Sequence, residues 1–140
     1  MLGKKLRYLH LPPDAALPAL QLPPFIAIVL VDAEVLETWM WDACRWLVAA
    51  GCRYALVWGQ DCEAWHDAID DASLEAFDYD DIPEDRFVLT TWHEDEDMEE
   101  VFWFAKHRAA HPVVPLNTTL VLHLAATARQ DEIEALYAQA

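Results

Sequence analysis

Glycine and serine are nearly missing from this chain, with Gly3, Gly51 and Gly59 the three glycines and Ser73 the one serine among 140 residues. Scattered glycines cannot build a dinucleotide fingerprint or a P-loop, both of which cluster glycines where backbone meets phosphate. Ser73 falls inside a helical stretch with no Gly-x-Ser-x-Gly around it, which excludes the nucleophile elbow of a serine hydrolase. Cysteine is scarce too. Cys44, Cys52 and Cys62 are odd in number and form no Cys-x-x-Cys, so they argue against a disulfide framework or thiol-rich zinc site and read as reduced thiols. No long apolar run exists: the longest, 25–31, falls far short of the ~20 residues needed to cross a bilayer. Residues 1–11 show no signal-peptide pattern, and the expected location is cytoplasmic.

Positive charge is the other shortage. Nine Lys and Arg face 25 Asp and Glu, a net charge of −16. Sixteen of those carboxylates lie in residues 63–100, against the single base Arg86. Such a field repels nucleic acid and anionic membrane and favours a basic protein partner or a cation.

What is present is a core: 55% of the residues are hydrophobic and seven are tryptophan. Residues 1–24 read as a proline-rich N-terminal arm, with Pro12, Pro13, Pro18, Pro23 and Pro24 forbidding helix and an edge strand conceivable around 5–10. Residues 25–140 read as a single α/β domain. Apolar runs at 25–31, 54–58, 86–92 and 119–125 alternate with helical spacing, the first helix ending at Gly51 and the third opening on Asp97 with Glu100 three positions on. Unbroken rather than alternating hydrophobicity predicts strands covered on both faces. The expected fold is a three-layer α/β/α sandwich of Rossmann-like plan, its four-stranded, mainly parallel, doubly wound sheet in order 2-1-3-4.

Ligands of such sheets bind beyond the carboxyl ends of the strands. Those ends carry Asp32, Asp61, His93 and Glu94. Asp32, His93 and Glu94 form a candidate catalytic set, and the same three with Asp61 a candidate metal set, since carboxylates and imidazole can hold a divalent cation that activates water. Helix capping weighs more heavily, because helix N-termini attract Asp and Glu in any protein. His123, inside an apolar strand, reads as a hydrogen-bonded core residue. Cys62 is a poor nucleophile candidate between Asp61 and Glu63. His107 and His111 have a zinc-ligand spacing, but in a last helical turn before Pro112 they suit the helix C-terminus. A receiver domain is excluded: only Asp32 matches its acidic and lysine requirements.

The helix exteriors point elsewhere. Trp41 falls on a polar face with Glu34, Glu37 and Arg45, and Trp103 on one with Glu99, Glu100 and Lys106. Exposed tryptophans are candidate partner-binding anchors; the alternative is that each lies under a neighbouring cation or beneath the arm.

The segments YALVWGQDC (54–62) and DRFVLTTWHEDE (85–96) resemble an uncharacterised family of small bacterial proteins over most of the chain. The resemblance implies a bacterial cytosolic origin and brings no activity, ligand or site residue. The expected function is an acidic, non-enzymatic protein-interaction module, an adaptor or an immunity-type inhibitor of a basic partner, needing no cofactor. The alternative is a small metal-dependent hydrolase.

Overall fold

A computed structural model describes residues 5–140. The four apolar runs each become a strand and a fifth joins them: β1 (Lys5–Leu11), β2 (Phe25–Val31), β3 (Cys52–Gly59), β4 (Leu89–His93) and β5 (Thr118–Leu124). All pair in parallel, in the order β1-β5-β2-β3-β4. The helices are α1 (Glu37–Ala50), α2 (Cys62–Glu75), α3 (Met98–His107) and α4 (Gln130–Gln139), with a short 3₁₀ turn at Glu84–Arg86.

Alternate residues of one strand feed two cores, because successive side chains leave a strand on opposite faces. Ala27 and Val29 of β2 pack with Met40, Leu47, Trp65 and Ile69 of α1 and α2. Ile26, Ile28 and Leu30 pack with Val101 and Phe102 of α3 and Ile133 and Tyr137 of α4. The three expected layers are present, and residues of this size contribute about 1.5–3 kcal/mol each when fully buried.

Helix ends follow the local chemistry. Gly51 stops α1 by entering the left-handed region at φ 116°, its amide donating back to Val48 O. At α3, the Asp97 amide donates to the Glu100 carboxylate across 3.3 Å, one half of a capping box.

The strand count and order correct the four-stranded, 2-1-3-4 expectation. The start of the proline-rich arm, Lys5–Leu11, is itself an edge strand, paired with β5 along its whole length. The chain then returns at 12–24 across α1, where Trp39 Nε1 donates to Ala15 O at 2.8 Å and Trp46 Nε1 to Pro18 O at 2.7 Å. The run expected at 119–125 is central, between β1 and β2, and every residue of that strand is buried. The run expected at 86–92 yields only the five-residue edge strand β4, whose Trp92 is exposed. Burial fits the placement: every residue of β5 is out of solvent, whereas Leu89, Thr90, Thr91 and Trp92 of β4 all keep contact with it, as an edge strand does.

Among the described residues, no helix is long and apolar enough to cross a membrane.

Candidate functional site

Strand order reverses between β2 and β5, so the carboxyl ends of those two strands form the crevice where sheets of this kind bind ligands. A closed polar ring fills it. The fully buried His123 holds Asp32 Oδ2 through Nε2 at 2.8 Å and Tyr8 Oη through Nδ1 at 2.7 Å. Arg129, just before α4, donates Nη2 to Asp32 Oδ2 at 2.8 Å and its backbone amide to Tyr8 Oη at 3.1 Å.

The proton inventory follows from the acceptors. An ionised Asp32 can only accept, so His123 Nε2 carries the hydrogen; in the neutral imidazole Nδ1 then accepts from the Tyr8 hydroxyl, whose oxygen accepts from the Arg129 amide. Both His123 nitrogens are thereby occupied and its ring is out of solvent. The ring as it stands is a fastening: it ties β1 to β5, and β5 to the loop before α4. Tyr8 and Arg129 were invisible to a search for acidic or imidazole clusters, since neither belongs to one in the sequence.

The other residues expected at this rim lie apart from Asp32 and mostly from each other. His93 ends β4, two strand spacings or ~10 Å along the sheet from the end of β2. It is buried, with Nδ1 2.7 Å from Glu96 Oε2 and Nε2 2.8 Å from Thr91 Oγ1. Glu94 shares with it a shallow concavity of about 310 Å³, beside Trp58, whose Nε1 donates to Glu96 O. Asp61 precedes α2 in the left-handed region at φ 52° and lines a different hollow with Glu34 and Glu37. Among the described residues no three His, Cys, Asp or Glu side chains are grouped to hold a metal ion. Asp32, Asp61, His93 and Glu94 thus divide among three places.

The thiols and remaining imidazoles are also committed. Burial, then the Glu94 charge, pushes the Cys62 thiol up, which opposes a thiolate there. Burial likewise pushes Cys52 up to about 12. His111 accepts at Nδ1 from the Val113 and Val114 amides, and its Nε2 meets Phe87 O at 2.9 Å.

A second arrangement stands on the face built by α1 and α2. Glu63, Asp67 and Asp71 of α2 are exposed, and Asp70 and Glu75 are half-buried. On the α1 side of this ridge Trp41, 43% exposed, and Tyr79, 62% exposed, line a groove of about 280 Å³ with Asp71 and Glu75. Arg45 lies in the groove too, doubly bonded to Glu75 and also to Asp42. Tyr79 and its neighbour Asp78 both sit at positive φ, 60° and 53°, a conformation that costs roughly 1–3 kcal/mol at a non-glycine residue. Partial desolvation, then the charges of Asp71 and Glu75, push the Tyr79 phenol above its usual value. On the other side of the ridge Trp92, 42% exposed, stands against His66, ring centroids 4.6 Å apart.

The two tryptophans singled out from the sequence fall on opposite layers. Trp41 borders the acidic ridge. Trp103 is on α3 across the sheet, with the Arg108 guanidinium 5.5 Å from its ring and the His107 ring tilted against it at 5.0 Å. Tyr79 and Trp92 were missed, although a bulky residue after Asp78 and a tryptophan ending a threonine pair were the available signals.

Fold and face together define a parallel, five-stranded α/β/α domain with an acidic ridge edged by aromatic side chains. The chain belongs to a family described as a domain of unknown function (DUF7684), whose profile matches residues 6–140. No curated protein and no solved structure matches it.

Proposed function

We propose that this protein is an acidic interaction module that docks a basic protein partner on the α1/α2 face. The observation that carries the reading is the juxtaposition of Trp41 and Tyr79 with the exposed Asp71 beside the acidic ridge of α2, Glu75 in the same groove being already paired with Arg45. Aromatic faces attract a lysine or arginine head through their quadrupole, and carboxylates at the rim add charge-assisted hydrogen bonds. Clustered charge raises the association rate with a basic partner, and rigid aromatics supply the short-range anchor. Trp103 has no part in this face. Its ring is already covered on one side by an arginine of its own chain.

A Lys/Arg-rich peptide, followed by fluorescence anisotropy at low and moderate salt, tests the proposal. Saturable binding is expected, weakened about tenfold by Trp41→Ala and by Asp71→Asn and unchanged by Trp103→Ala. Equal loss for the two tryptophan variants, or none for either, would reduce the attraction to bulk charge and overturn the assignment.

A further inference from the structure

β4 and β1 are the two edges of the sheet, and they differ in how they are guarded. Edge strands are commonly protected from pairing by lysine, arginine or proline on the strand itself. β1 carries Lys5 and Arg7, both exposed. β4 reads Leu-Thr-Thr-Trp-His and carries no such residue.

On its inner side β4 is fixed in register, from Tyr54↔Leu89 to Trp58↔His93. Its outer side pairs with no strand among the described residues. In a parallel pair alternate residues direct both amide and carbonyl toward the neighbouring strand, so the remaining residues of β4 offer theirs outward. Beside this edge lies a groove of about 440 Å³, lined by Leu74, Ile82, Phe87 and Leu89 with His66 and Asp70 at its polar end. Leu74 and Phe87 are both exposed. Asp70 is held over the strand by Thr90, whose hydroxyl donates to it at 2.7 Å.

An open strand edge beside an apolar groove accepts an extended segment, main-chain bonds giving affinity and alternate side chains filling the groove. Charge decides whose segment it is. The edge lies within residues 63–100, where sixteen carboxylates face one arginine, so the same edge of a second copy would be repelled, and the net charge of −16 opposes association of two copies in general. We infer that β4 is the docking edge for an extended segment of the basic partner, one that alternates basic and apolar residues and adds to the sheet as a sixth strand. The inference rests on the acidic-module reading and names the mode of recognition.

The experiment uses the whole protein and two peptides of the same Lys-Val-Arg-Val-Lys-Val-Arg sequence. One has a free backbone, and the other is N-methylated at every residue, so that neither of its edges can complete a ladder. Edge addition predicts saturable binding of the free peptide, at least tenfold weaker binding of the methylated one, and slowed hydrogen exchange at outward amides of 89–92. Phe87→Ala, exposed and outside both cores, is expected to weaken the free peptide several-fold with no change in thermal midpoint. Equal binding of the two peptides would overturn edge addition and leave the acidic module standing. Binding of neither would remove both.

Discussion

At Tyr8 one phenolic oxygen donates to His123 and accepts from the Arg129 amide, so a hydroxyl on the edge strand completes the hydrogen bonding of a fully buried imidazole. The cost of disturbing the ring depends on what is left behind. Asp32→Ala strands the Nε2–H of His123 without an acceptor in the core, which costs about 2–3 kcal/mol. Tyr8→Phe leaves Nδ1 and the Arg129 amide unserved, at about 1–2 kcal/mol. Arg129→Ala removes two solvent-screened ion pairs, to Asp32 and Glu132, worth together about 1 kcal/mol or less. Urea unfolding should therefore lower the midpoint in the order Asp32→Ala, Tyr8→Phe, Arg129→Ala. A larger loss for Arg129→Ala than for Tyr8→Phe would show that the ion pairs, rather than the imidazole, are the principal tie.

Between elements, the end of β3 runs close against β2. Gly59 sits at φ 105° against the Val31 carbonyl, and a Cβ added there would collide with that backbone. Gly59→Ala is expected to cost about 2 kcal/mol or more, read as a fall in urea midpoint with an unchanged slope. Gly51→Ala is the milder comparison, since the nearest atom, Leu22 O, is 3.1 Å from its added Cβ.

Element identity was legible in the sequence, and element order was not. Continuous apolar runs announced strands with two covered faces, and Gly51 and the Asp97–Glu100 pair announced helix ends. Order depends on which strand tolerates solvent along one side. Both strands carry a threonine pair and a histidine, Thr90-Thr91 with His93 and Thr118-Thr119 with His123, so a simple count of apolar residues cannot rank them for the edge. Because β3 lies between β2 and β4, Asp32 and His93 do not end neighbouring strands. The rim expected from the sequence accordingly separates into distinct places. His123 was read correctly as a bonded core residue; its partners are Tyr8 of β1, where an edge strand was conceivable, and Asp32 just beyond β2.

Over the whole molecule, carboxylates outnumber bases by 16, and repulsion between exposed charges opposes compaction. Screening should therefore stabilise the fold. Raising NaCl from about 10 mM, where the screening length is ~30 Å, to about 150 mM, where it is ~8 Å, is expected to lift the thermal midpoint. A rise of about 4 °C would correspond to ~1 kcal/mol in a domain of this size. A falling midpoint would mean that attractive pairs such as Arg45–Glu75 outweigh the repulsion.

The two sheet edges also carry opposite signs, Lys5 and Arg7 on β1 and the carboxylates of residues 63–100 around β4. Four strand spacings, ~19 Å, separate them. The molecule is therefore a permanent electric dipole lying across its strands. In the field of a cationic body it turns before contact, presenting α2 and β4 foremost, so that a larger share of diffusional collisions begins in the right orientation.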